Sequence, residues 1–308
     1  MVDTNFWSKL FCLMLVSVLV SACSSHQRSY NETAEANRNF NTRVVENIVY
    51  SPSEWPQQLN ADLYLPQTTE VLPVVLMAHG GGWSRRDRSD MQSTAIKLAK
   101  KGFAVLNVSY RFAPEFIYPA QIQDLQLALL WLQGNANKYQ LDLNRVNAWG
   151  YSSGAHLVAL LAGTISGEAQ TLALTPELPK IRAVVVGGIP ADLSVYSGSP
   201  IIVPFLGADR DGNPELYQQA SPINHISAGD PPVFLYHGKL DTLVEKEQSI
   251  NYYNALRRND IPAELYLDSL WGHFAMFLFG WDAENKAVQF LNHHNFQNNK
   301  EQALFKNT

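Results

Sequence analysis

One continuous apolar run at residues 73–78 (PVVLMA), with two nearly continuous ones at 103–108 (FAVLNV) and 181–186 (IRAVVV), constrains this chain most. A strand with one face in water alternates apolar and polar residues. These runs do not alternate, so both of their faces must be covered. Helical stretches are expected between and around them, at residues 91–101 (stopped by Gly102), 120–139 (preceded by Pro119) and 154–161. Further strands are expected at 44–50, 61–65, 145–149, 232–236 and 263–267, and further helices at about 245–259 and 283–294. Strands alternating with helices predict an α/β fold: a mostly parallel sheet with helices on both faces. Functional residues on such sheets gather at the carboxyl ends of the strands. The chain has 308 residues, 46% of them hydrophobic, enough for one large core, so residues 44–308 read as one domain.

The N-terminal segment reads differently. Lys9 precedes an apolar run at residues 10–20, too short to span a bilayer comfortably and of the length of a signal-peptide core. It ends in Val20-Ser21-Ala22-Cys23. These residues resemble a bacterial lipobox. That resemblance implies a signal peptide over 1–22, lipidation of Cys23, and a flexible polar tether over 23–43. It also implies a location in the bacterial cell envelope, outside the cytoplasm. Ser24 after the cysteine favours an outer membrane position facing the periplasm over the inner membrane. Both cysteines, Cys12 and Cys23, lie in this segment. The body therefore has no disulfide framework and no cysteine zinc site. A net charge of −5 gives no basic footprint for nucleic acid.

Two glycine motifs carry the chemistry. Gly150-Tyr151-Ser152-Ser153-Gly154 is a G-x-S-x-G pattern between a predicted strand and a predicted helix. A sharp strand-to-helix turn there exposes the serine, and the glycines let neighbouring backbone pass where a Cβ would clash. His79-Gly80-Gly81-Gly82-Trp83 follows the PVVLMA strand. Its glycines can aim amide N–H groups at one point, as acyl transfer requires where charge develops on a carbonyl oxygen. The expected donors are the amides of Gly81, Gly82 and Ser153. His79 is expected to be structural. The acid and base of such a site follow the serine in chain order. Asp241 lies just beyond the 232–236 strand and His273 just beyond the 263–267 strand. Ser152 is thus the expected nucleophile, His273 its base, and Asp241 the group that orients the histidine. The alternatives for Asp241 and His273 are a turn former and an ordinary loop histidine.

These residues, together with 109–115 (SYRFAPE), 118–121 (YPAQ), Asp124, Trp131-Leu132 and His156, make the chain similar to α/β-hydrolases of the hormone-sensitive-lipase-like esterase group. It also resembles bacterial carbohydrate and feruloyl esterases, through Asp192-Leu193, Phe205-Leu206-Gly207 and Ala220-Ser221-Pro222. The resemblance covers about residues 44–295. It implies that Tyr110, Arg111 and Asp124 brace a strand-end loop rather than react. The short segment before the PVVLMA strand leaves no room for an elaborate N-terminal cap, so residues 188–230 are expected to form a small or partial cap. Trp83, Tyr151, Ile189, Tyr196, Phe205 and Trp271 are the candidates for the substrate pocket.

The function expected is hydrolysis of a small or carbohydrate-linked carboxylic ester through an acyl-enzyme, with no metal and no organic cofactor. Its alternatives are an amidase, formamidase or peptidase on the same fold, and a non-catalytic binding lipoprotein. The expected partners are the ester substrate and a membrane, reached through the lipid anchor.

Overall fold

The structure is a computed structural model that describes residues 24–28, 38–166, 174–175 and 177–296. The expected signal peptide over 1–22 and Cys23 lie outside the described residues.

The sheet has nine strands: β1 (Ser25–Gln27), β2 (Thr42–Val49), β3 (Asn60–Pro66), β4 (Leu72–Ala78), β5 (Ala104–Val108), β6 (Leu141–Tyr151), β7 (Ile181–Gly187), β8 (Val233–Gly238) and β9 (Ala263–Asp268). Their order is β1-β9-β8-β7-β6-β4-β5-β3-β2. Strands β4 to β9 pair in parallel, while β1, β2 and β3 pair antiparallel at the two ends. The strand sequences explain this layout. Every residue of β4 and β5 is buried, as their nearly continuous apolar sequences require, whereas edge strand β2 mixes apolar and polar residues and is largely exposed.

Alternate residues of one strand feed two cores. Val74, Leu76 and Ala78 join the larger, while Val75 and Met77 join the smaller. The α-helices among the described residues are α1 (Gln92–Lys100), α2 (Ala120–Tyr139), α3 (Ser153–Ser166), α4 (Ile202–Leu206), α5 (Pro214–Gln219), α6 (Lys246–Arg258), α7 (His273–Phe279) and α8 (Trp281–Phe296). The larger core takes residues from α2, α3 and α6; the smaller takes them from α1 and α8. The short helices α4 and α5 belong to residues 188–230, the segment expected as a partial cap; Pro190, Tyr196, Ser199, Ile201 and Ile202 in it line the cavity described below.

The tether expected over 23–43 needs correction at two places. Strand β2 already begins at Thr42. Ser25–Gln27 is also a strand, paired with β9 so that Ser25 faces Leu267 and Gln27 faces Leu265. Three polar residues carry no apolar period, so this strand has no signal in the sequence. What holds it is the edge of β9, whose unpaired backbone groups accept a partner. His26 adds a contact, its Nε2 lying 2.9 Å from the buried Glu264 carboxylate.

Candidate active site

The turn from β6 to α3 is forced by its glycines. A Cβ on Gly150 would lie 2.3 Å from Gly154 backbone atoms, and one on Gly154 would lie 2.2 Å from the Ala78 carbonyl oxygen. No other residue fits at either position. Between them Ser152 adopts a left-handed φ of 54°, a strained conformation for a residue with a side chain. Backbone hydrogen bonds hold it there: the Ser152 amide donates to Gly187 O at 2.8 Å, and its carbonyl accepts from the His156 amide at 3.0 Å.

Asp241 and His273 converge on this serine from the loops after β8 and β9. A Cβ on Gly238 would lie 2.1 Å from Trp271 O, so that glycine lets the two loops touch. His273 Nε2 is 2.9 Å from Ser152 Oγ, and its Nδ1 is 2.6 Å from Asp241 Oδ2. The Tyr151 hydroxyl donates to the His273 carbonyl at 2.6 Å and fixes the backbone behind the ring. Asp241 Oδ1 accepts from the Leu243 and Val244 amides, each at 2.9 Å, and Oδ2 also lies 3.1 Å from His237 Nε2. Burial opposes charge on Asp241. The hydrogen bonds from His237 and His273 outweigh it, and the carboxyl sits well below the usual carboxylate range. An ionised carboxylate only accepts, so His273 Nδ1 carries the proton. Its Nε2 then presents a lone pair to the serine hydroxyl, the arrangement needed to take up the Oγ proton.

The glycine loop lies opposite. Gly81 and Gly82 both have positive φ, 125° and 61°. Their amides donate to no backbone carbonyl among the described residues, and the Ser153 amide opens α3, where no intrahelical acceptor exists. The three expected donors therefore keep their N–H groups available.

His79 and His156 support the site without facing it. His79 stacks on Tyr110 at 4.4 Å, and its Nδ1 donates to Gly80 O at 2.6 Å. His156 Nε2 donates to Ala220 O at 2.7 Å, while its Nδ1 accepts from Trp83 Nε1 at 3.3 Å. Burial lowers the pKa of each to about 4. Both are therefore neutral when folded at a pH where the unfolded histidines, near 6.5, have already bound protons. Between pH 6.5 and 4 the unfolded chain binds more protons, so stability falls as the pH falls. Each histidine contributes a slope of about 1.4 kcal/mol per pH unit inside that window. Denaturant unfolding measured from pH 7 to 4 should show this decline, and His156→Gln should make it shallower. A flat profile in the wild type would rule the account out.

The loop after β5 is braced as expected. Asp124, fully buried, accepts from the Arg111 amide at 2.8 Å, from Arg111 Nε at 2.8 Å and from Trp55 Nε1 at 2.9 Å. The Tyr110 hydroxyl donates to His79 O at 2.9 Å, tying this loop to the start of the glycine loop.

A cavity of about 400 Å³ opens at Ser152. Of the six pocket candidates, Trp83, Tyr151 and Tyr196 line it; Ile189, Phe205 and Trp271 do not. Ile189 is fully buried in the larger core. Phe205 stacks on Trp83 at 4.3 Å and so forms a layer behind the wall. The Trp271 ring packs on Phe279 at 5.7 Å. Residues not expected from the sequence also line it, among them the apolar Leu243, Phe274 and Phe277 and the charged Arg85, Arg86 and Asp90. Phe274 and Phe277 lie three residues apart in a seven-residue helix that is apolar on nearly all sides, too short to mark a period in the sequence. The charged residues lie around a polar loop without periodicity and left no signal.

Residues 61–256, more than half of the chain, match the BD-FAE family model. Esterase LipC of Mycobacterium tuberculosis is 31% identical over 200 residues, covering 61% of this chain and 49% of LipC. The chain spans about half the length of LipC and of two further mycobacterial relatives. Kynurenine formamidase of Salmo salar is 24% identical, covering 77% of this chain and 76% of its own length. A truncated carbohydrate esterase from gut microbiota superposes with a TM-score of 0.72 at 23% identity, over 84% of this chain and 98% of that one. The fold is therefore the α/β-hydrolase fold, and the chain belongs to the BD-FAE family.

Proposed function

We propose that this protein is a serine carboxylic-ester hydrolase that works through an acyl-enzyme. The observation that carries the reading is the hydrogen-bonded series Ser152–His273–Asp241 on a strained strand-to-helix turn. Ser152 Oγ attacks the acyl carbon as its proton passes to His273 Nε2, and Asp241 stabilises the imidazolium. The amides of Gly81, Gly82 and Ser153 receive the oxyanion, each donor being worth ~3 kcal/mol in the transition state. The leaving alcohol takes the proton from His273. Water, deprotonated by the same ring, then releases the acid.

The substrate in this reading is a small or carbohydrate-linked ester. The apolar Leu243, Phe274 and Phe277 suit an acyl group, and the charged residues, where Arg86 donates to Asp90 at 3.1 Å, suit hydroxyls. The enzyme is further proposed to be held in the bacterial cell envelope by a lipid on Cys23, on the outer membrane facing the periplasm, a reading supported by residues 10–23. The formamidase relative keeps amide hydrolysis as a second reading.

One panel separates the two: p-nitrophenyl acyl esters, acetylated xylan and methyl ferulate against an N-formyl anilide. The esters are expected to show the higher kcat/KM. Faster turnover of the formanilide than of every ester would replace the reading with an amidase.

A further inference from the structure

The loops after β8 and β9 leave an apolar rim beside the cavity mouth that is exposed among the described residues. Leu240, Leu270, Phe274, Leu278, Phe279 and Trp281 are each 50–63% exposed. They form one patch. The Leu240 amide donates to Trp271 O at 3.1 Å, joining the two loops, and Phe279 packs on both Trp271 and Trp281. Helix α7, HFAMFLF, has no polar residue after its histidine, although Phe274, Leu278 and Phe279 face outward. Exposed apolar surface of this kind on an otherwise polar protein marks a contact site.

The register of β1 points to what the patch meets. This strand runs antiparallel to β9, with Ser25 opposite Leu267. Traced back from Gln27 to Ser25, the chain runs toward the carboxyl end of β9, where the patch begins. Ser24, which follows Cys23 in the sequence, lies at that end. A lipid on Cys23 would therefore hold the bilayer against the end of the sheet that carries the apolar rim. No helix among the described residues is long and apolar enough to cross a membrane.

We propose that Leu240, Leu270, Phe274, Leu278, Phe279 and Trp281 form a membrane-docking face that lies on the lipid surface to which Cys23 anchors the chain. The proposal rests on the lipid-anchor reading given above. Tethering makes even a weak apolar contact effective, because the anchor raises the local concentration of the bilayer. Phenylalanine and leucine enter the acyl boundary of such an interface, and tryptophan sits at headgroup level. The cavity mouth then opens at the edge of the contact, since Phe274 belongs to both. Ester substrate would reach Ser152 along the membrane surface.

The test uses the full-length, lipidated protein in phosphatidylcholine vesicles, with and without brominated acyl chains. Both native cysteines lie at or before residue 23, so an engineered thiol is the one free thiol of a processed, lipidated chain. A fluorophore is placed by Leu278→Cys on the patch, or by Asn144→Cys at the amino end of β6. The expected result is that brominated lipid removes roughly half or more of the fluorescence at position 278 and leaves that at 144 unchanged. Mass analysis of the N-terminal peptide is read in parallel. A peptide without lipid would overturn the anchor and the docking with it. A lipidated chain with no quenching at 278, or equal quenching at both positions, would overturn the docking alone. Concentration-dependent self-association abolished by Trp281→Glu, without quenching, would assign the patch to a second copy and likewise overturn it.

Discussion

Ser152→Ala is expected to lower kcat toward p-nitrophenyl acetate by roughly 10⁴-fold or more, with little change in thermal unfolding. The loss is large because the variant removes the atom that forms the acyl bond. It removes little else: the turn is held by the Ser152 amide and carbonyl, which alanine retains. His273→Ala should cost about as much, since without Nε2 the hydroxyl stays protonated. The double variant should be no worse than either single one, because serine and histidine act as one unit. Additive losses would mean that the two residues serve separate steps. Circular dichroism and thermal unfolding of the purified variants distinguish a lost chemical step from a fraction of misfolded protein.

Asp124→Ala carries the largest expected effect on stability. Asp124 is fully buried, and Arg111 is nearly so. Taking away the carboxylate leaves the guanidinium enclosed, with Trp55 and Phe116 rings beside it at 4.9 and 5.2 Å but no counter-charge. Leaving a buried charge unpaired costs about 3–5 kcal/mol. Replacing both partners by apolar residues, as in Arg111→Met with Asp124→Leu, should cost less than the single change, because no charge is then stranded. Urea unfolding of the three variants measures this directly. A single variant within about 1 kcal/mol of wild type would show that the pair does not brace the loop. Activity should fall along with stability in Asp124→Ala, since Tyr110, next to Arg111, holds the carbonyl of His79 ahead of the glycines proposed to receive the oxyanion.

What could be read from the sequence follows from which physical constraints leave a local mark. Burial on both faces writes a continuous or nearly continuous apolar run, so β4, β5 and β7 were legible, and with them the parallel sheet. Helix α2 was legible to the residue, since Pro119 starts it and its long apolar pattern ends at Tyr139. Strand β1 was not, because edge pairing uses backbone groups and asks nothing of the side chains of Ser25, His26 and Gln27. Helix α7 was not, because seven residues, apolar on nearly all sides and capped by Gly272 without a side-chain bond, show neither period nor start signal. The reactive constellation left its mark through steric necessity: Gly150 and Gly154 exist to let backbone pass. The pocket did not. Aromatic character reports burial, not which layer of a wall a ring occupies, so Phe205 looked the same as Trp83 although it lies behind it. The placing of the charged Arg85, Arg86 and Asp90 depends on how a loop folds back, which no spacing reveals.

The most direct test of the central claim is covalent labelling by a fluorophosphonate probe, which needs an activated serine together with a formed oxyanion site. The account predicts stoichiometric labelling of the wild-type protein, with the probe mass mapped to the peptide that contains Ser152, and no labelling of Ser152→Ala. Absence of labelling in the wild type, or equal labelling of the alanine variant, would contradict it.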